Sequence, residues 1–255
     1  MRLLHRRVRL PRAHPRVGQQ RGDRRSFVQR VRRLRGRLPT EGDRPAQGGA
    51  RVKGVSVLIG GVGGQGVILT ARILAESSLA HGLKAQMSEI HGMSQRYGSV
   101  VSSVRIGDAE SPLVKKGEAN AIVGFEPLET VRLLPWAYNK TVVVTALTPI
   151  RPLSVLLGQE AYPPLEDLHR QIKERAGRVI VVDADRIARS IGHEVVANSV
   201  LLGALMGTKV LPVPLEVVRK TLAAHVPPRF VAANLEALDI GYSVTIQDEY
   251  SIAFA

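Results

Sequence analysis

Side chains able to hold an anion or move a proton crowd into one short run, Glu89-Ile-His-Gly-Met-Ser-Gln-Arg-Tyr-Gly-Ser99. His91 is a base that titrates near neutrality. Arg96 is a permanent cation whose planar fork suits two-pronged contact with a carboxylate or a phosphate. Ser94, Gln95, Tyr97 and Ser99 add hydrogen-bonding groups beside it, and Glu89 adds a carboxylate. A blander reading stands next to this one: His91 and Arg96 form ion pairs, for example with Glu89 or Glu126, and only shape a loop or a subunit interface.

A second constellation lies upstream, where the glycines of Gly61-Val-Gly-Gly-Gln-Gly66 interrupt an apolar stretch. Gly61, Gly63, Gly64 and Gly66 admit positive φ and close backbone approach. A turn that feeds a helix N-terminus also presents unpaired N–H groups and partial positive charge, a cradle for phosphate. With Glu89 placed to meet ribose hydroxyls, the spacing fits a dinucleotide fingerprint and suggests a free-standing NAD(P)-binding Rossmann oxidoreductase. The double glycine Gly63-Gly64 followed by Gln65, and the polar density of the 90–98 stretch, go beyond what that fingerprint needs. The structural alternative is that the glycines only allow tight strand–helix packing.

These groups need a scaffold, and the hydrophobic pattern supplies one. Val55, Val57, Leu58 and Ile59 read as a strand buried on both faces. The apolar spacing after Gly66 predicts a helix to about His81-Gly82, with Gly82 as its C-terminal cap. Lys84–Glu89 reads as a second strand, Ile90–Gly98 as a loop, and Ser99–Ile106 as a third strand. That strand is reached without a helix and so can run antiparallel. Ala119–Phe125, Lys140–Thr145 and Arg178–Asp183 complete the strands. Helices are expected after Glu126, where Pro127 suits the first turn and Pro135 the end, and over Tyr162–Gly177. Asp185–Ile191, Asn198–Val210, Leu215–His225 and Pro228–Leu238 follow, the last three as a cap on the sheet or an arm for a partner. The expected fold is α/β: a three-layer α/β/α Rossmann-like sheet, mostly parallel with one antiparallel strand, plus C-terminal helices.

Composition narrows the chemistry. The sequence contains no cysteine, so it cannot by itself ligate an iron–sulfur cluster or a thiolate-bound zinc. Its seven histidines form neither an HxH nor an HExxH pattern, and no metal site is expected. No GxSxG elbow is present. No uninterrupted apolar run is long enough to span a membrane. The formal net charge of +14 is confined to one end. Residues 1–53 hold 17 of the 36 Lys/Arg and 3 of the 22 Asp/Glu, which leaves 19 of each in the rest. A nucleic-acid arm normally adjoins a domain with a basic face, and this domain is neutral.

Residues 1–53 are therefore read as a disordered Arg-rich extension. Their prolines and single Ser26 fit a transit peptide poorly. Translated sequence upstream of the native start is the favoured explanation, and mass spectrometry of the native N-terminus decides it. Residues 54–241 are read as one domain and 242–255 as a tail.

Six short motifs occur in order: Gly61-Val-Gly-Gly-Gln-Gly66, Ser88-Glu-Ile-His-Gly-Met-Ser-Gln-Arg96, Val104-Arg-Ile-Gly107, Ser111-Pro112, Gly124-Phe-Glu-Pro-Leu-Glu129 and Asn198-Ser-Val-Leu-Leu-Gly-Ala-Leu205. Together they resemble the gamma-type domain of the 2-oxoacid:ferredoxin oxidoreductases, within it the branch acting on indolepyruvate. The resemblance covers about residues 54–241 and marks Glu126 and Asn198 as motif positions. It implies a cytoplasmic subunit that is inactive alone. A larger partner subunit would carry thiamine diphosphate and [4Fe-4S] clusters, and the assembly would convert a 2-oxoacid and CoA to an acyl-CoA while reducing ferredoxin. It transfers no catalytic residue to this chain. The sequence departs from the family pattern at Tyr97, where a ring replaces a usual glycine and alters any pocket or interface formed there.

Overall fold

Six strands form one mixed sheet in the order β2-β3-β1-β4-β5-β6. They are β1 (Val55–Val62), β2 (Ala85–His91), β3 (Ser99–Ile106), β4 (Ala121–Gly124), β5 (Val142–Ala146) and β6 (Arg178–Val182). This computed structural model describes residues 54–91, 98–109, 111–151 and 153–246. The Arg-rich 1–53 stretch and residues 247–255 fall outside them, as do Ser94, Gln95, Arg96, Tyr97 and the side chain of His91.

β1, β4, β5 and β6 are mutually parallel, and β3 alone runs against its neighbours β1 and β2. The connection from β2 to β3 is too short for a helical crossover, so these two strands can pair only antiparallel. Side chains alternate across the sheet. Val57, Ile59, Ala121, Val123, Val144, Ile180 and Val182 pack on one face, and Leu58, Ile122 and Val143 on the other. The first face is covered by α1 (Val67–Ala80), α5 (Ala184–Ile191), α6 (Ala197–Gly207), α7 (Leu215–His225) and α8 (Val231–Ile246). The second is covered by α2 (Pro127–Leu133), α4 (Leu165–Arg175) and the turn around Leu134. Three layers result, as expected, and the C-terminal helices are a cap on the sheet.

Several boundaries differ from the sequence reading. β2 continues through Ile90 and His91, because these residues pair with Val101 and Val100 rather than opening a loop. A short helix, α3 (Leu153–Leu156), carries no clear signal in the sequence. α4 begins at Leu165, since Pro163 and Pro164 lack the N–H groups of a helix interior and Pro164 serves as the cap. The last helix starts three residues late and runs to Ile246, beyond the expected end at Leu238. Gly241 does not stop it. A Cβ on Gly241 would lie 2.0 Å from the Val200 carbonyl oxygen, and one on Gly203 would lie 2.0 Å from that of Leu238. These glycines let α6 and α8 touch backbone to backbone, which a reading of glycine as punctuation misses.

Candidate functional site at the carboxyl edge of the sheet

β1, β2, β4, β5 and β6 all point their carboxyl ends to the same edge, and β3 begins there. Ligands of open α/β sheets bind at this edge. The glycine turn lies there, with Glu89 and Ser99, the described ends of the polar run. The glycine turn follows β1, and the 92–97 stretch is flanked by the end of β2 and the start of β3. The Gly63 amide donates to the Gly98 carbonyl over 2.8 Å and ties the two together.

The glycine turn is held shut by its own side chains. Gln65 accepts from the Val62 amide at 2.7 Å and donates to the Phe125 carbonyl at 2.7 Å, so it bridges the ends of β1 and β4. A Cβ on Gly61 would sit 2.8–2.9 Å from Phe125, Gln65 and Val67, so only glycine fits. Gly64 and Gly66 have φ of +104° and +88°. Gly66 caps α1, and buried Asn198 of α6 presses on it: a Cβ there would lie 2.8 Å from the Asn198 amide nitrogen. A shallow depression of about 400 Å³ opens in front of the turn, lined by Gly63, Gly64, Gly66, Val67 and exposed Arg72.

The dinucleotide reading meets a topological obstacle. A ribose-binding acid must end the strand beside β1, but β3 intervenes between β1 and β2. Glu89 pairs with Ser102, which pairs with Ile59, so it stands two ladder spacings away, roughly 9–10 Å. The fingerprint spacing is met in sequence and its geometry is not.

What the edge does contain is a chain of polar contacts built on two buried carboxylates. Glu126, 0% exposed, caps α2, with one carboxylate oxygen accepting from the Glu129 amide at 2.9 Å and the other bonded to the Tyr162 hydroxyl. Glu129 is 2% exposed. One of its oxygens accepts from the Ser99 hydroxyl at 2.5 Å and the other from Arg132 at 2.5 Å. Thr130 donates to the Glu126 carbonyl at 2.9 Å and shares a 2.8 Å bond with Thr145 at the end of β5. Gly124 makes room, since its Cβ would lie 1.6 Å from the Thr130 hydroxyl. The contacts thus join the chain at β3's start, the β4–α2 connection, and the segment carrying Tyr162 between β5 and α4.

Burial pushes the Glu126 carboxyl above its ordinary range, against the pull of the Tyr162 hydroxyl and the Glu129 amide, which favour its ionised form. Tyr162 is raised too, first by burial and then by its bond to Glu126, so it stays a protonated donor at physiological pH. Of the residues singled out from sequence, Ser99, Glu126 and the glycine turn come together here, with Asn198 behind the turn. Glu129, Thr130, Gln65's bridging role and Tyr162 were missed. A signal existed for Glu129, an acid at the third helical position behind a capping residue, as in a capping box. None existed for Tyr162, 36 residues from its partner. Among the described residues no group of three or more metal-ligating side chains occurs.

The comparisons with known proteins agree with this architecture. The model of the family described as pyruvate ferredoxin/flavodoxin oxidoreductase matches residues 56–244. Indolepyruvate oxidoreductase subunit IorB of Pyrococcus horikoshii is 38% identical over 74% of this chain and 95% of its own length. The IorB subunit of Methanothermobacter thermautotrophicus is 35% identical over 75% of this chain and 98% of its own. The crystal structure of the gamma subunit of a keto/oxoacid ferredoxin oxidoreductase from Geobacter sulfurreducens shares the fold. Its TM-score is 0.55 at 24% identity, over 76% of this chain and 99% of that one. From the matched span, the identities and the shared sheet, the chain belongs to the pyruvate ferredoxin/flavodoxin oxidoreductase family.

Proposed function

We propose that this chain is the smaller subunit of an indolepyruvate or related arylpyruvate:ferredoxin oxidoreductase, with its carboxyl edge turned toward a larger partner subunit. The observation that carries the reading is the likeness to indolepyruvate oxidoreductase subunits along nearly their whole length. The absence of cysteine supports it, because thiolate ligands for iron–sulfur clusters then have to come from another chain. Thiamine diphosphate and the clusters, both on the partner, supply the decarboxylation and electron-transfer chemistry, with CoA taking the acyl group and ferredoxin the electrons. This chain contributes preorganised backbone and side-chain groups around that chemistry. Arg96 and the amides of the glycine turn are assigned to anion contact, with Glu89 and His91 positioning the stretch that carries Arg96. No helix among the described residues is long and apolar enough to cross a membrane, in keeping with a cytoplasmic enzyme.

The test is reconstitution. Co-expressed with its large subunit, the chain should co-purify with thiamine diphosphate and cluster absorbance, and reduce ferredoxin when given indolepyruvate and CoA. Arg96→Ala should lower acyl-CoA formation at least tenfold. A wild-type chain that purifies alone and transfers hydride to NAD(P) would overturn the reading.

A further inference from the structure

The two buried carboxylates among the described residues, Glu126 and Glu129, lie side by side at the carboxyl edge. At the opposite edge the charged pair, Lys84 with Asp108, is exposed, and the ties set deeper are neutral. There the Ser56 amide donates to the Asn120 side chain at 2.8 Å, and the Thr141 hydroxyl to the Ala119 carbonyl at 2.6 Å. Stability alone does not call for charge at the first edge. Buried ionic groups are often no better for stability than apolar side chains of the same shape, and Glu126 is held against the cost of its own burial. What such a group gives is a single geometry, because each of its lone pairs specifies where a donor must be.

Glu129 is the hub of that geometry. Its carboxylate takes one hydrogen bond from β3, through Ser99, and one from its own helix, through Arg132. Its amide is fixed by Glu126, which in turn holds Tyr162. Gly98, immediately before Ser99, accepts from Gly63 of the glycine turn. One residue of α2 thus sets where β3 starts and, through Gly98, where the glycine turn lies.

We infer that Glu129 and Ser99 form a clasp that positions the carboxyl-edge backbone for the reaction of the assembled enzyme, so that both are positioning residues. The inference rests on the subunit reading above. Cutting the clasp leaves the hydrophobic layers intact and loosens only the edge.

The experiment uses the complex of this chain with its large subunit, carrying Ser99→Ala, Ser99→Thr or Glu129→Gln in this chain. Ser99→Ala should leave subunit association unchanged and lower kcat/KM for the 2-oxoacid at least tenfold. Ser99→Thr, which keeps the hydroxyl, should stay within threefold of wild type. Hydrogen exchange supplies the second readout: amides of residues 98–101 should exchange at least tenfold faster in Ser99→Ala, while those of β5 should not change. Glu129→Gln, which keeps the shape but loses the charge, should fall between the two. Unchanged exchange with unchanged turnover overturns the clasp. Lost turnover with unchanged exchange overturns it as well, since Ser99 then acts directly on a reactant. Faster exchange with full turnover removes its role in the reaction. A wild-type complex that fails to turn over refutes the subunit reading instead, a result visible before any variant is made.

Discussion

Gly124→Ala is the sharpest test of how tightly the carboxyl edge is built. The new methyl carbon would sit 1.6 Å from the Thr130 hydroxyl oxygen, 2.6 Å from its Cβ and 3.1 Å from its Cα. Rotating Thr130 can move the hydroxyl but neither of the two carbons, so α2 has to retreat from β4. Overpacking of this kind costs about 1–3 kcal/mol. The retreat also parts Thr130 from Thr145 and strains the Ser99–Glu129 bond, and each buried polar group left without its partner costs about 1–3 kcal/mol. The sum is on the order of 5 kcal/mol. For a domain of this size about 2–4 °C of melting temperature is lost per kcal/mol, so the midpoint should fall by roughly 10–20 °C in a calorimetric or circular-dichroism melt. The double variant Gly124→Ala/Thr130→Gly removes the clashing side chain. It should therefore be less destabilised than the sum of the two single changes, by about 1 kcal/mol or more. A melting point for Gly124→Ala within about 4 °C of wild type, or strict additivity in the cycle, would refute the packing argument.

Two further outcomes follow from the same edge. Glu126 has its pKa raised by burial in the folded chain above the ordinary 4.5, so its contribution to stability is complete below that pH and is lost as pH rises through the folded value. Glu126→Gln does not titrate; its melting point relative to wild type should climb as pH is raised from 4.5 and then level off, and a difference independent of pH would contradict the assignment. In the glycine turn, Gly64→Ala and Gly66→Ala both meet positive φ, which costs on the order of 1–3 kcal/mol. Only at position 66 does the new methyl also meet Asn198, whereas nothing lies within 4 Å of it at 64. Gly66→Ala should be the more destabilising in urea titration, and equal losses would mean that Asn198 does not press on the turn.

Much of the fold is legible in the sequence because its cause is local. Continuous β-branched runs such as Val142–Val144 mark strands buried on both faces, and glycines at 64 and 66 mark a turn that needs positive φ. The short link between the second and third strands already favours antiparallel pairing. Where a residue's role depends on a partner far along the chain, the sequence is silent or points the wrong way. The last helix reads as ending at Leu238, yet it runs to Ile246 because Gly241 lets it lie against Val200. Ile90 and His91 read as loop, yet extend β2 because β3 supplies their partners.

The candidate site divides along the same line. The sequence by itself determines which groups are present: the glycine turn, the polar Glu89–Ser99 run, the Glu126–Glu129 motif, and the lack of any thiol to hold a cluster. The tertiary structure alone decides how they are used. Strand order sets Glu89 apart from the glycine turn by inserting β3, because β1 pairs with a strand that is not its neighbour in sequence, which no local pattern encodes. The same long-range closure brings Ser99 and Tyr162 onto the buried Glu129 and Glu126 in one chain of contacts. Their carboxylates are costly to bury singly and are tolerated only where folding delivers every donor at once.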